Sequence, residues 1–383
     1  MDFLVALIFL IAQWRLAALV LRRIRRLERG LHTLAVFALV LFGVLVAAGY
    51  ACSFSEVTAW LRFPRSIGAV WGAAALCYLL ISTAVLIVAM ALRPLQRHLN
   101  AKADPGRRRA LNLAGNALMA SPFALVAYGG LVQRTNYQVT ETDVPLAGLP
   151  ADLDGLRVLQ LSDIHLGTFL SERELARVID AACELRPHIA FATGDFISTR
   201  GDPLEVCLRQ LGRVKADAGM FGCLGNHERY AHVQAQTTEL AARAGIRILR
   251  GEAQQLRFGN SVLNVAGVDY QSLLDQEEYL KGAERLVYPG ALNLLLSHNP
   301  DVFPVAAGQG YHLVLAGHTH GGQVTVEILD QGINPARFFT PYVRGLYRMD
   351  RAAAYVTRGI GTIGIPARIG APPEITLLRL RKA

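Results

Sequence analysis

The chain has 383 residues, of which 52% are hydrophobic and 18% are charged, with a formal net charge of +9. This length allows one large domain or two to three ordinary ones, and the apolar composition excludes an intrinsically disordered chain. The positive charge lies in the first third: residues 1–131 contain 14 Lys and Arg against 4 Asp and Glu, whereas residues 132–383 contain 25 against 26. The charge therefore favours basic loops between membrane spans over a surface that binds nucleic acid.

The apolar first third contains four segments that are long enough, or nearly long enough, to cross a membrane. Gln13, Trp14 and Arg15 interrupt the first segment, so an interfacial or signal-like helix is an alternative for it. The sequence predicts a bundle of about four transmembrane helices over residues 1–132, followed by a second domain over residues 133–383. The four segments are 4–21, 34–54, 67–92 and 111–132.

The basic residues of the loops predict the orientation of this bundle. Five arginines lie between the first two segments and six Lys or Arg lie between the last two, but only two lie between the second and third. Loops rich in Lys and Arg stay in the cytoplasm, so we expect residues 133–383 on the extracytoplasmic (periplasmic) side of the cytoplasmic membrane. The run Arg107–Arg109 also resembles a twin-arginine export signal, although an ordinary basic flank explains it as well.

From about residue 133 the sequence changes to short apolar strands that alternate with polar helices, which implies a layered α/β core. Ser171 followed by Glu174 predicts a capping box at the start of one helix, and Asp202-Pro203 marks the start of another. The stretch 329–350 is irregular and rich in aromatic residues and Arg. The predicted strands are 156–162, 188–194, 219–225, 262–268, 292–297 and 312–317.

The five cysteines are too few and too scattered for a disulfide scaffold. No Cys-x-x-Cys pair or Cys/His zinc spacing links them. A single disulfide between Cys183 and Cys207 is an alternative that the sequence leaves open.

Polar clusters follow five of the six predicted strands, and open α/β sheets bind their ligands at such strand ends. Each cluster alone is also typical of a turn or a helix start, but together they favour a metal site. They supply Asp, Asn and His without Cys, a ligand set that suits Zn, Mn or Fe. The clusters are Asp163-Ile164-His165, Gly194-Asp195, Gly225-Asn226-His227-Glu228, Ser297-His298-Asn299 and Gly317-His318-Thr319-His320-Gly321-Gly322.

The ordered set DIH, GD, GNHE, SH and GHTH, over about residues 156–325, resembles the calcineurin-like metallophosphoesterase family. The segment GHTHGGQ and the tail RGIGTIGIPARIGAPPEI resemble a membrane-associated bacterial branch of that family. The resemblance implies an α/β fold in which two β-sheets pack between helices as an αββα sandwich. It also implies a centre of two divalent metal ions, which could be Mn, Zn or Fe.

The resemblance assigns a role to eight residues of this sequence. One departure is Ser198, where many relatives carry a second Asp after Gly-Asp, and it puts a hydrogen bond behind the metal ligands in doubt. In the implied centre, Asp163, His165, Asp195 and His320 hold one ion, Asp195 bridges to a second ion held also by Asn226, His298 and His318, and His227 faces the leaving group.

The implied activity is hydrolysis of a phosphoester or pyrophosphate bond by metal-activated hydroxide. A phosphate-ester substrate with a lipid part is favoured, because a membrane-tethered site meets membrane-bound molecules at high effective concentration. Membrane lipids are the other expected contact, nucleic acid is not expected, and the sequence leaves the oligomeric state open. The alternative is a non-catalytic membrane receptor or binding module that keeps the metal fold, which the loss of a ligand would favour.

The aromatic stretch 329–350 has two interpretations. Its rings could contact the acyl chain or headgroup of a lipid, because aromatic side chains favour the membrane interface and Arg binds phosphate in a two-pronged fashion. Alternatively, the rings close the edge of the β-sandwich. The aromatic residues concerned are Phe338, Phe339, Tyr342 and Tyr347.

Overall fold

The structure is a computed structural model, and the chain in it forms two compact units. The first unit comprises Met1–Gly130 with Gly364–Pro366, and the second comprises Leu131–Ile363 with Ala367–Ala383. The residues that the structure describes are 2–25, 28–51, 78–79, 82–83, 86–87, 90–91, 105–167, 169–323, 325–328, 331–364 and 366–383.

Helices account for most of what is described of the first unit. They are α1 (Asp2–Ile24), α2 (Arg29–Ala51) and α3 (Pro105–Leu131), and they coincide with the first, second and fourth predicted apolar segments. Most of the third segment lies outside the described residues. Within the described ranges, no helix combines the length and the apolar character that crossing a membrane requires. The predicted transmembrane bundle is not confirmed and stays a prediction.

The second unit is built from β-strands, and the six strands predicted from the sequence are all present. The strands are β1 (Gln138–Leu146), β2 (Arg157–Leu161), β3 (Ile189–Thr193), β4 (Met220–Cys223), β5 (Ile246–Ile248), β6 (Glu252–Phe258), β7 (Ser261–Gly267), β8 (Leu292–Leu296), β9 (Leu313–Ala316), β10 (Val326–Ile328), β11 (Gln331–Ile333), β12 (Gly345–Met349), β13 (Ala352–Val356) and β14 (Glu374–Lys382).

These strands form two six-stranded sheets and one small ribbon. The first sheet has the order β1-β14-β2-β3-β4-β5, the second has the order β12-β13-β9-β8-β7-β6, and β10 pairs with β11. Because β11 and β12 lie inside 329–350, the prediction that this whole stretch is irregular is wrong in part. Both strands are short and lie at the edge of their sheets, and β12 is only partly buried, so it leaves no clear apolar pattern.

The described residues of the second unit form five α-helices. Ser171 and Glu174 form the predicted capping box at the start of the first of them, and the second begins directly after Pro203. The helices are α4 (Glu172–Glu184), α5 (Leu204–Leu211), α6 (Asn226–Tyr230), α7 (Gln234–Arg243) and α8 (Phe303–Gln309).

Three apolar clusters define four layers. Val178 of α4 and Leu208 of α5 pack in a cluster against the outer face of the first sheet. Phe191 lies in the cluster between the two sheets, and Phe303 of α8 lies in the cluster that covers the second sheet. Each sheet therefore buries both of its faces, and the predicted αββα sandwich is confirmed.

The cysteines of the second unit are unbridged. Cys183, Cys207 and Cys223 are free thiols, so the disulfide between Cys183 and Cys207 that the sequence left open is wrong. Cys207 lies on the buried face of α5, whereas the Cys183 thiol donates to the carbonyl of Arg213 at 3.5 Å. Cys52 and Cys77 lie outside the described residues.

The direction of the central strands places the polar clusters together. Strands β2, β3 and β4 run parallel in the first sheet, and β7, β8 and β9 run parallel in the second. The carboxyl ends of parallel strands meet at one edge of a sheet. The five clusters follow β2, β3, β4, β8 and β9, so they gather where the edges of the two packed sheets lie side by side.

Candidate metal centre

The backbone turns sharply at the residues predicted to be metal ligands. Five of them have left-handed backbone angles, which cost a non-glycine residue about 1–3 kcal/mol and persist only where the surroundings enforce them. Such strain clusters at functional sites, and here it directs the side chains inward from the strand ends. The residues are Asp163 (φ 51°), His165 (φ 48°), Asp195 (φ 56°), His318 (φ 72°) and His320 (φ 53°).

Two glycines allow the loops to approach one another closely. A Cβ atom on Gly225 would overlap Oδ1 of Asp195, and one on Gly317 would overlap the side chains of Ser162 and Asp163. Any larger residue at either position would push a carboxylate out of place. The glycines of the GNHE and GHTH motifs are therefore needed for the packing of these loops.

Ligand atoms converge in three groups, two of which include Asp195. Oxygen and nitrogen atoms of Asp163, His165 and His320 lie within 4.8 Å of one another, and so do those of Asp195, His298 and His318. Asp195 also forms such a group with His165 and His227. Asp195 is close to His165 of the first group and to His298 and His318 of the other. Its two carboxylate oxygens could therefore reach two ions.

The distances in the first group fit a shared ion. Nε2 of His165 lies 3.2 Å from Nε2 of His320 and 3.5 Å from Oδ2 of Asp195. Nε2 of His320 lies 3.4 Å from Oδ1 of Asp163. Two ligand atoms bound to one tetrahedral ion at about 2.0–2.1 Å lie roughly 3.3 Å apart. These separations therefore suit ligation better than direct hydrogen bonding.

The second group contains a close carboxylate–imidazole pair, and the predicted ligand Asn226 has an unsatisfied amide oxygen. Nε2 of His298 lies 3.0 Å from Oδ2 of Asp195, and the His298 and His318 rings are 5.1 Å apart. Oδ1 of Asn226 is buried and, like Oδ2 of Asp163 in the first group, has no hydrogen-bond partner in the described part of the chain. A buried oxygen without a partner is costly, and a bound cation would satisfy both. The residues present therefore fit a dinuclear centre.

Hydrogen bonds behind two histidines fix which nitrogen faces the centre. Nδ1 of His298 donates to the carbonyl of Thr193 at 2.6 Å, and Nδ1 of His165 lies 3.2 Å from Oγ of Ser198. In both rings Nε2 is left for a metal ion, as such partners commonly arrange. The hydrogen bond that the Ser198 departure put in doubt is therefore present, with the serine hydroxyl as the partner.

Burial controls the charge of the ligands. It lowers the pKa of His165 to about 3 and that of His318 to about 4, so both rings are neutral, the form that binds a metal. Burial likewise raises the pKa of Asp163 to about 6. Burial also opposes the charges of Asp195 and His298, but their mutual attraction dominates: it holds the pKa of Asp195 well below its ordinary value and raises that of His298.

Glu228 is a structural part of this site that the sequence reasoning did not assign. It is fully buried, and its carboxylate accepts hydrogen bonds from the backbone N–H groups of Asp195 (2.9 Å), Phe196 (2.8 Å) and Gly225 (2.8 Å). It thus ties the loop after β3 to the loop after β4. Its place in the GNHE cluster was the only signal in the sequence.

Tyr270 is a second residue that the sequence reasoning missed. Its ring lies 5.6 Å from the ring of His318 and 6.2 Å from that of His298. It follows β7, the one predicted strand to which no polar cluster was assigned. The parallel course of β7 beside β8 was the signal that could have placed it, because both strands end at the same edge.

The aromatic stretch is divided between the core and the surface. The side chains of Phe338 and Phe339 are 87% and 80% exposed, so the interpretation that they close the sandwich is wrong for these two rings. Tyr342 and Tyr347 pack against the core outside the second sheet, so that interpretation is right for them. Tyr342 lies on the same connection between β11 and β12 as the two phenylalanines, but its ring meets those of Phe303 at 5.7 Å and Tyr347 at 5.2 Å.

We predict that Glu228→Gln destabilises the protein. The amide group of glutamine would face at least one backbone N–H that the carboxylate now accepts, and a buried donor without a partner costs about 1–3 kcal/mol. Urea unfolding of the metal-free chain, followed by circular dichroism, should give a lower midpoint. The control is Glu239→Gln, which removes an exposed partner of Arg243 and should change little. Equal midpoints for the two variants would contradict the role assigned to Glu228.

The family model for the calcineurin-like phosphoesterase domain matches residues 156–322, the part of the chain that contains all eight predicted site residues. Three relatives are similar to this chain over part of its length. A zebrafish (Danio rerio) transmembrane protein with metallophosphoesterase domain is 32% identical, with 68% of this chain aligned to 61% of that protein. A metallophosphoesterase of Aquifex aeolicus (strain VF5) is 30% identical, with 59% of this chain aligned to 85% of that one.

The third relative, phosphodiesterase YaeI of Escherichia coli (strain K12), is 28% identical, with 58% of this chain aligned to 82% of it. The chain spans less than two thirds of the zebrafish protein but most of the two bacterial ones. The motif order, the αββα sandwich, the shared position of Asp195 and these similarities agree with one another. The chain belongs to the calcineurin-like metallophosphoesterase family.

Proposed function

We propose that this protein is a membrane-anchored phosphoesterase that uses two divalent metal ions to hydrolyse a phosphoester or pyrophosphate bond. The observation that carries the proposal is the position of Asp195 between two sets of buried ligands. The family and the names of its relatives support a hydrolase of phosphoesters. The ligand set of carboxylate, amide and imidazole groups without thiolate suits Mn, Zn or Fe.

Each side chain has a defined task in this proposal. When bound, two such ions neutralise phosphate oxygens and lower the pKa of a water molecule, so that hydroxide is available near neutral pH. Asp195 has two oxygens and can therefore contact both ions, which a single imidazole cannot. The ligands of the first ion are Asp163, His165 and His320, and those of the second are Asn226, His298 and His318, with Asp195 common to both.

His227 is proposed as the proton donor to the leaving group. Its Nδ1 donates to the carbonyl of Ser198 at 2.7 Å, which fixes the orientation of the ring. Its backbone N–H donates to Oδ1 of Asp195 at 2.9 Å, so the ring is held beside the shared carboxylate. The same proximity puts His227 within reach of an ion. The His227→Ala variant separates the role of a proton donor from that of a metal ligand.

Membrane anchoring is the finer part of the proposal. The apolar and basic pattern of residues 1–132 supports it, and so does the zebrafish relative that is named a transmembrane protein. The basic loops then orient the phosphoesterase domain to the extracytoplasmic side. A site tethered in this way meets lipid-linked phosphoesters at high effective concentration, so we favour a substrate with a lipid part.

The exposed aromatic loop supports contact with such a lipid. Its two ends are fixed to loops that carry metal ligands: the Asn334 side chain donates to the carbonyl of Gly321 at 2.8 Å, and the Thr340 hydroxyl bonds to Asp301. Gly321 follows His320 directly, and Asp301 lies three residues after His298. Phe338 and Phe339 therefore project from a loop that is anchored beside both halves of the centre.

The most direct test is a hydrolysis screen with the metal-loaded full chain and its Asp195→Asn variant. Monoesters, diesters, nucleotide pyrophosphates and phospholipids should be compared. At least one class should be hydrolysed by the wild type, and Asp195→Asn should abolish that activity because it removes the charge shared by both ions. A wild-type protein that binds two ions but hydrolyses none of these classes would instead favour the non-catalytic receptor.

We predict that His227→Ala retains both metal ions but loses turnover. General acid catalysis typically contributes about 10²–10⁴-fold, and the loss should be smaller for a p-nitrophenyl ester, whose leaving group needs little protonation, than for a phenyl ester. Metal content is measured by elemental analysis, and His232→Gln, at an exposed histidine, is the control. Equal losses with both esters, or the loss of one ion, would show that His227 is not the proton donor.

We predict that replacing Phe338 and Phe339 together by Ser weakens hydrolysis of a phospholipid substrate by about tenfold or more. Burial of one such ring contributes about 1.5–3 kcal/mol. Hydrolysis of bis(p-nitrophenyl) phosphate and the melting temperature should not change. Tyr288→Ser is the control, since this half-exposed tyrosine precedes the amino end of β8, opposite the centre. Undiminished phospholipid hydrolysis would contradict the proposed lipid contact.

A further inference from the structure

Arg368 is the largest fully buried side chain in the described part of the protein, and it lies outside the segment that the family model matches. The carboxylates whose charge acts on it, Asp163 and Glu374, are engaged elsewhere: Asp163 lies against His298 and His320, and Glu374 pairs with Arg358. A buried cation without a close carboxylate is costly. Its presence beside the candidate centre therefore needs an explanation.

The hydrogen bonds of Arg368 explain why this cation is buried beside the candidate centre. A guanidinium has five N–H donors in a rigid plane, and here they reach the carbonyl oxygens of five residues. One of these hydrogen bonds, to the carbonyl of Arg358, is 2.7 Å long. The acceptors are Arg358, Gly359 and Gly361 on the loop after β13, His320 on the loop after β9, and Ala371.

The loop after β13 in turn supports the loop that carries Asp163. The N–H of Ile360 donates to the carbonyl of Ser162 at 3.0 Å, and the N–H of Gly361 donates to the carbonyl of Asp163 at 2.7 Å. A Cβ atom on Gly359 would overlap the Asp163 side chain, so the two loops are in direct contact. The position of one loop therefore determines the position of the other.

Arg368 consequently joins two predicted ligands of the same group through backbone carbonyls, and its guanidinium also lies 3.4 Å from Nδ1 of the His320 ring. At one end its guanidinium donates a hydrogen bond to the carbonyl of His320 at 3.0 Å. At the other end it holds the 358–361 loop, which fixes Asp163. We propose that Arg368 is a positioning residue that sets the separation of Asp163 and His320 for the first metal ion. The inference rests on the dinuclear centre of the proposed function and adds a residue that contacts neither ion nor substrate.

The two natural test variants are Arg368→Lys and Arg368→Met. Lysine keeps the positive charge but has only three donors, so it cannot bond to all five carbonyls, and methionine keeps the apolar stem without any donor. We expect both variants of the full chain to bind one Mn²⁺ like the wild type and the other about 10–100-fold more weakly, the usual effect of removing a group that orients a metal ligand. Isothermal titration calorimetry with Mn²⁺ measures both affinities without reference to activity.

A control separates positioning from general stability. Leu380 is fully buried between the sheets, and its N–H bonds to Leu156 at the amino end of β2, away from the centre. Leu380→Ala should lower the melting temperature of the metal-free chain and leave both Mn²⁺ affinities unchanged. Arg368→Lys decides the matter if Arg368→Met does not fold.

Two results would overturn the inference, and they differ. If the Arg368 variants lose thermal stability but bind two Mn²⁺ ions with wild-type affinity, Arg368 has a structural role only, and the proposed function is unaffected. If the wild type itself binds one ion or none, the dinuclear centre fails, and the inference fails with it. If the Arg368 variants bind only one of the two Mn²⁺ ions more weakly, the result supports both the inference and the proposed function.

Discussion

The whole site depends on one buried carboxylate, that of Asp195. It lies where the carboxyl ends of strands from two packed sheets meet, and His165 and His298, one from each sheet, approach its Oδ2 to 3.5 Å and 3.0 Å. A single sheet could not supply both sets of ligands, because its parallel strands present only one edge. The sandwich is therefore more than a scaffold: the packing of the second sheet on the first brings His298 and His318 to the ligands carried by β2 and β3.

The loops that carry these ligands are held by groups that do not touch an ion. Glu228 accepts three backbone N–H bonds and joins the loops after β3 and β4. Arg368 donates to five carbonyls and joins the loops after β9 and β13. The Glu228 carboxylate accepts hydrogen bonds from backbone N–H groups, and the Arg368 guanidinium donates hydrogen bonds to backbone carbonyls. Left-handed backbone angles at the ligands persist because these contacts enforce them.

The central strands could be predicted from the sequence, because buried parallel strands leave short apolar runs. The polar residues at the ends of these strands stand out in the same way, and the metal-binding and catalytic roles of the eight candidate site residues stay a prediction. The edge strands β1, β6 and β12 are only partly buried and leave no such pattern. The roles of Glu228, Tyr270 and Arg368 could not be predicted, since their partners are backbone atoms or rings from distant parts of the chain. The exposure of Phe338 and Phe339 depends on loop packing, which the sequence does not encode locally.

The central claim is that Asp195 bridges two metal ions. The measurement that tests it most directly is anomalous diffraction from crystals of the Mn²⁺-loaded protein, recorded on both sides of the manganese absorption edge. The account predicts two anomalous peaks, one beside Asp163, His165 and His320 and one beside Asn226, His298 and His318, with Asp195 in contact with both. A single peak, or a second peak that Asp195 does not contact, would contradict it.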